Sequence, residues 1–218
     1  MLDLHLPQRC VVCGSGVRQL CSGCREELPR IELPLCARCG APTAWPVERC
    51  RECAGRRLGF ASARAAVGYD EAARRLVHAW KERGVRRLAV EAAALVVERV
   101  TPPEVDALTF VPSDRARHLK RGHNPAERLA LELAAAWGLS CVPLLERTRG
   151  GRQRGSSATE RRSVRGAFRA TGAAPRTVAV VDDVYTTGAT AAATATALRA
   201  SGARRVEAIT FARALRRS

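Results

Sequence analysis

Large apolar side chains are sparse over residues 1–58, where cysteine recurs instead. From Phe60 onward, short apolar runs alternate with stretches of helical period, the pattern of a parallel sheet whose strands are joined by helices. Ala61 to Tyr69 reads as a strand, and Glu71 to Lys81 as a helix with Ala72, Leu76 and Ala79 on one face. Gly84 stops that helix, and a second runs over Arg86 to Val100, ahead of Pro102 and Pro103. Asp106 to Val111 is the next strand, followed by a polar loop, a helix from Ala126 to Trp137 and a short strand around Cys141 to Leu144, in which Cys141 fills core space. The apolar run from Val178 leads into an Ala-rich helix over Ala189 to Ala200, and Val206 to Phe211 is a last strand. These elements predict an α/β domain over 59–218 behind a small cysteine-rich domain over 1–58.

Charge adds a partner to this picture. The 218 residues carry 37 basic and 21 acidic side chains, a formal charge of +16, and Lys81 and Lys120 are the only lysines. A GC-rich genome accounts for arginine in place of lysine, but not for the excess of cations, which fits a polyanionic partner or substrate, nucleic acid foremost. Aromatic residues make up 4% of the chain, too few for an extended base-stacking platform. Arg147 to Arg169 is the most basic stretch, with Glu160 its single acid and glycines at 150, 151, 155 and 166. Such a run does not pack, and its arginines (Arg147, Arg149, Arg152, Arg154, Arg161) suit a lid over a bound diphosphate, contacts to single-stranded DNA, or a solvated loop with no ligand. No apolar run approaches the roughly 18 residues of a membrane span, and the first residues lack a basic segment before an apolar signal core, so a cytoplasmic protein without membrane insertion is expected.

Eight cysteines form four CxxC pairs: Cys10 with Cys13, Cys21 with Cys24, Cys36 with Cys39, and Cys50 with Cys53. Each such knuckle presents two thiolates to one metal, so four pairs imply two tetrahedral Zn²⁺ sites. Pairing first with second and third with fourth closes two sites, and so does an interleaved arrangement. The metal's role here is structural, since so short a segment with so few large apolar side chains cannot build a core alone. With nine arginines, six acids, eight thiolates and two Zn²⁺, residues 1–58 come to a charge of about −1, so the basic surface lies elsewhere.

The stretch from Val178 to Thr190 holds the most specific chemistry. An apolar strand ends in Asp182 and Asp183, then turns through Tyr185, Thr186, Thr187, Gly188, Ala189 and Thr190 into a helix. Loop amides and the positive end of the helix suit a phosphate monoester, the threonine hydroxyls can donate to it, and Gly188 allows close approach. Asp182 and Asp183, the candidate catalytic carboxylates, suit the vicinal hydroxyls of an attached sugar, directly or through hydrated Mg²⁺. Together these describe a site for a ribose 5-phosphate.

The same stretch resembles the 5-phosphoribosyl 1-diphosphate (PRPP) signature of type I phosphoribosyltransferases at every position. Other segments resemble the ComF family of late-competence proteins: the four CxxC knuckles, Tyr69 with Lys81 and Gly84, Val111 with Pro112, Arg117 with Arg121, Gly122, His123 and Asn124, Arg147 with Gln153, and Arg161 through Gly166, Ala167 and Phe168. His123, Asn124 and Pro125 stand where the family usually has Phe-Asn-Gln, and Ser163 where it usually has Asn. The resemblance implies a type I phosphoribosyltransferase fold behind a double zinc ribbon, PRPP or a related nucleotide at the signature loop, and a part in handling single-stranded DNA during natural transformation. It implies that the diphosphate lies among Lys81, Ser113, Arg115, Arg117 and Arg121. Two readings of the function follow: a phosphoribosyltransferase of unassigned acceptor, or a non-catalytic DNA-binding adaptor that uses the pocket as a nucleotide or PRPP sensor. In either, the ribbons can recruit a competence helicase or another DNA-processing protein.

Overall fold

The structure, a computed structural model, describes residues 9–114, 119, 122–148 and 166–215. In chain order its elements are α1 (Ser22–Glu27), β1 (Ser62–Gly68), α2 (Glu71–Glu82), α3 (Leu88–Arg99), β2 (Ala107–Phe110), α4 (Pro125–Trp137), β3 (Leu145–Arg147), β4 (Phe168–Ala170), β5 (Thr177–Tyr185), α5 (Ala189–Ala200) and β6 (Arg205–Arg213). Four strands form a parallel sheet in the order β1-β6-β5-β2. Among the described residues, no helix is long and apolar enough to cross a membrane.

Local sequence explains the helix limits. Asp70 accepts the amide of Ala73 at 2.8 Å to start α2, and Gly84 follows its end with a left-handed backbone, φ +68°. Asn124 caps α4, with Pro125 in the first helical position where a missing N–H costs nothing. The buried face of α2 is Ala73, Leu76, Val77, Ala79 and Trp80, while Ala72 is only partly buried, so the expected stripe is rotated toward Trp80.

Both sheet faces are covered. Ala179 and Val181 of β5 and Ile209 and Phe211 of β6 pack under α2, α3 and α4, whereas Val178, Val180, Val206 and Ala208, pointing the other way, pack under α5 and β4. The cysteine-rich segment straddles the sheet edge and feeds both cores. Cys10, Leu20, Cys24 and Leu28 join the first core, and Cys36, Cys39, Cys53 and Leu58 the second. Between them the chain runs along the free edge of β1, where Gly68 donates to Pro29 O at 2.7 Å and Ile31 to Ala66 O at 3.0 Å.

Two expectations are corrected. The strand placed around Cys141 to Leu144 reduces to a single parallel bridge between Cys141 and Leu108. Pro143 has no N–H to continue that ladder, and strand structure resumes at Leu145, pairing antiparallel with β4. The basic stretch from Arg147 to Arg169 is therefore anchored at both ends, with Arg147 opposite Phe168 and Glu146 opposite Arg169. Residues 149–165, with Arg149, Arg152, Arg154 and Arg161, lie outside the described residues.

Candidate functional site

The C-terminal ends of β1, β2 and β5 open onto a cleft of about 310 Å³ lined by Tyr69, Lys81, Ser113, Asp114, Arg147, Asp182, Asp183, Thr186 and Thr190. This is the end at which open parallel sheets bind ligands, because strand ends and helix starts meet there. Strand β5 continues through Tyr185, so Asp182 and Asp183 lie within it and not at its end, and their side chains leave on opposite faces. Asp183, 7% exposed, pairs with Lys81 of α2 at 2.6 Å. Lys81, expected at a diphosphate, thus lines the cleft while bound to this carboxylate. The carboxyl of Asp182 is raised to about 7, first by burial and then by repulsion from Asp183, with Lys81 opposing. It accepts the Asp183 amide at 2.9 Å.

Beyond Tyr185 the loop is built around Gly188, whose φ of +73° no side-chain-bearing residue adopts readily. A Cβ there would lie 2.3 Å from the Tyr185 hydroxyl, so the Tyr185 ring is the floor of the loop. Tyr185, expected among the phosphate ligands, instead has a side chain that is 5% exposed and packs edge-on against Phe60, with ring centroids 6.3 Å apart. Thr186 and Thr187 are exposed above it, and Ala189 and Thr190 open α5. The N-cap glycine of that helix offers no side chain and its first turn no acid; Thr187 Oγ1 accepts the Ala189 amide at 3.3 Å, and the positive end of the helix faces the cleft.

The wall opposite is the loop after β2. Ser113 lines the cleft; Arg115, Arg117 and Arg121 fall outside the described residues. Arg147 donates from Nε to Pro112 O at 3.1 Å and lies over the Phe168 ring at 4.8 Å, so its guanidinium is set at the cleft rim. Asn124 fixes both roots of the loop: Nδ2 donates to Val111 O at 3.1 Å and Oδ1 accepts the Ala126 amide at 3.1 Å. The buried His123 ring adds a tie to Trp80 O at 3.1 Å, one residue from Lys81. Sequence reasoning reaches Asn124 only as part of a motif; the Asn-Pro start of a helix is the signal from which its capping role could be read.

The cysteines pair sequentially. The sulfurs of Cys10, Cys13, Cys21 and Cys24 lie within 4.8 Å of one another, as do those of Cys36, Cys39, Cys50 and Cys53. Separations of 3.8 Å for Cys13 to Cys21, 3.6 Å for Cys36 to Cys53 and 3.5 Å for Cys39 to Cys50 are close to the ~3.8 Å edge of a tetrahedron with ~2.3 Å Zn–S bonds. In the second cluster burial opposes ionisation of Cys36, but backbone amides of Cys39 and Cys50 and the Cys53 thiol outweigh it, lowering its pKa to about 7. Cys10 is lowered to about 6, again against burial, by the amides of Cys13 and Cys21. Burial pushes Cys24, Cys39 and Cys53 the other way, so it is the geometry of the two four-cysteine sites that fits two structural zinc ions. Sequence reasoning missed how the second site reaches the cleft. Arg213 of β6 touches Cys39, Glu52 and Tyr185, and Arg56 donates to Thr187 O.

Known proteins share sequence with this chain. The model of the double zinc ribbon domain family matches residues 1–54. DNA utilization protein YhgH of Salmonella typhi is 28% identical over 210 residues, covering 91% of this chain and 87% of that protein. Competence protein F of Haemophilus influenzae is 28% identical over 228 residues, covering 94% and 97%. A solved structure of glutamine PRPP amidotransferase from B. subtilis, complexed with ADP and GMP, aligns with a TM-score of 0.38 at 26% identity over 58% of this chain, which spans 26% of that one. Similar along nearly its whole length to these relatives, the chain is a homologue of competence protein F and DNA utilization protein YhgH that carries a double zinc ribbon, as its resemblance to the ComF family implied.

Proposed function

We propose that the cleft binds PRPP with Mg²⁺ and serves phosphoribosyl transfer in the handling of incoming single-stranded DNA. One observation carries the reading: a helix start without acidic side chains, behind a left-handed glycine, follows directly on a strand whose last residues include two carboxylates. The first-turn amides of α5 and the hydroxyls of Thr186, Thr187 and Thr190 take the 5-phosphate, and Asp182 and Asp183 take the vicinal ribose hydroxyls. Ser113 and Lys81, with Arg115, Arg117 and Arg121, take the diphosphate. Mg²⁺, when bound, neutralises part of the diphosphate charge. At C1 the bond to the diphosphate oxygen breaks as the bond to a nucleophilic acceptor forms. The chain's contribution to this oxocarbenium-like step is positioning and cationic stabilisation of the leaving group.

The names of the relatives, one for competence and one for DNA utilization, support the setting in DNA handling. The +16 charge of the chain supports single-stranded DNA as a second ligand, held by Arg147 and by Arg149, Arg152, Arg154 and Arg161 beyond it. Calorimetric titration of PRPP with Mg²⁺ into the zinc-loaded chain tests the reading. Saturable binding that is lost in Asp182→Asn/Asp183→Asn is the expected result. No heat from the parent protein, with an oligonucleotide binding in a strongly salt-dependent manner, would replace the enzyme by the adaptor.

A further inference from the structure

We propose that Arg213 is a positioning residue that couples the second four-cysteine centre to the phosphate loop, so that the loop holds its ligand-ready shape only while that centre is intact. The proposal rests on the reading of the cleft as a phosphate-ester site. Arg213 is the last residue of β6 and is 1% exposed, an unusual place for a guanidinium. Its partners come from two parts of the molecule. Toward the ribbon, Nη1 donates to Cys39 O at 2.6 Å, and Nη2 lies 2.7 Å from the Glu52 carboxylate and 3.8 Å from Cys39 Sγ. Toward the cleft, the guanidinium lies over the Tyr185 ring at 4.6 Å, and Tyr185 and Arg213 are register neighbours on adjacent strands.

Tyr185 is the floor on which Gly188 rests, with no spare space between them. A shift of the ring therefore moves the loop. A second strut runs parallel to the first: Arg56, three residues past Cys53, donates to the carbonyl of Thr187. Gly59 lies so close to α5 that an added Cβ would sit 2.9 Å from Ala192 O. The second ribbon thus abuts the floor and the crest of the phosphate loop, and the chain leaving it abuts α5, whereas the first ribbon packs against α2 and α3 on the other sheet face.

Electrostatics gives the coupling its direction. Four thiolates around one Zn²⁺ carry a net charge near −2, and a buried cation at 3.8 Å from one sulfur offsets part of it in a medium of low dielectric constant. If the centre opens, Arg213 keeps Glu52 as its one charged partner among the described residues. A buried fork held from one side no longer fixes the ring beneath the loop. Coupling of this kind is reciprocal, so a ligand on the loop also retards zinc loss from the second centre.

The test uses the full zinc-loaded chain and Arg213→Met, with Glu52→Gln as a milder variant and Arg205→Met, an exposed site on the same strand, as control. Amide hydrogen exchange over residues 185–191, zinc release to a chromophoric chelator and PRPP affinity are read together. In Arg213→Met we expect faster exchange in that segment and over residues 36–53 but not over 10–24, earlier release of one zinc of the two, and about a tenfold loss of PRPP affinity, the scale set by an unmade charged hydrogen bond. Glu52→Gln moves all three in the same direction by less, and Arg205→Met moves none. Unchanged exchange over 185–191 in Arg213→Met, or an increase spread evenly over both ribbons, overturns the proposal. Failure of the parent chain to bind PRPP overturns the reading of the cleft, while exchange and zinc release still decide the coupling.

Discussion

Asp182 and Asp183 are adjacent in the chain and opposite in circumstance. Asp183 has Lys81 at 2.6 Å, whereas Asp182 is raised to about 7 by burial and by its neighbour. A folded pKa above the unfolded ~3.9 means that the folded chain holds this proton more tightly, so the contribution of Asp182 to stability is fully present below about pH 4 and lost as pH rises through about 7. Asp182→Asn removes that loss. Its denaturant midpoint is expected to exceed the parent's at pH 8, by on the order of 1–3 kcal/mol in stability, and to converge on it toward pH 4. Asp183→Asn takes from the Lys81 ammonium, 29% exposed, its paired carboxylate and is expected to cost about 1–3 kcal/mol at low pH, and less at pH 8, where it also relieves the repulsion on ionised Asp182. Equal behaviour of the two variants would sink this assignment. The two acids were legible because their spacing after an apolar run is local information. That Lys81 meets one of them was not, because the pair joins α2 to β5 across 102 positions of chain.

At the scale of elements, the loop between β5 and α5 shows how geometry narrows residue choice. Gly188 combines a left-handed φ with a neighbour 2.3 Å from any Cβ, so Gly188→Ala must either tilt the Tyr185 ring or move the loop. A stability loss of about 1–3 kcal/mol is expected, with PRPP binding lost more completely than stability, by thermal melting and calorimetry on the same sample. A variant that melts lower but binds as the parent does would show that the loop is not the ligand's seat. This strand-turn-helix could be read in advance because hydrophobic period and a glycine mark it. The β3–β4 pair could not, since each strand has three residues and their partnership spans the basic stretch between them. Periodicity is silent on so short a run, and Pro143 displaced the strand that periodicity did suggest.

At the scale of the molecule, the two ribbons are parts of the two cores. A separate cysteine-rich domain is the natural reading of the sequence, because the knuckles are contiguous and hold their own metals. In the folded chain Cys10 and Cys24 lie among residues of α2 and α3, Cys36, Cys39 and Cys53 lie among residues of β5, β6 and α5, and Pro29 to Ile31 seal the edge of β1. Sequence does not disclose this, since cysteines are chosen for the metal and the few apolar residues around them, Leu20, Leu28 and Leu58, carry no period. The arrangement makes zinc a stabiliser of the whole sheet. Stripping both ions with a strong chelator should withdraw several kcal/mol, and at about 2–4 °C per kcal/mol for a chain of this length the melting midpoint should fall by on the order of 10 °C. The transition should stay single, because no surface between ribbon and sheet can part without opening a core. Calorimetric melting of zinc-loaded and stripped protein decides it: two separated transitions, with the later one at the midpoint of the loaded protein, would mean that the ribbons unfold by themselves and that the shared cores bind them only weakly to the sheet.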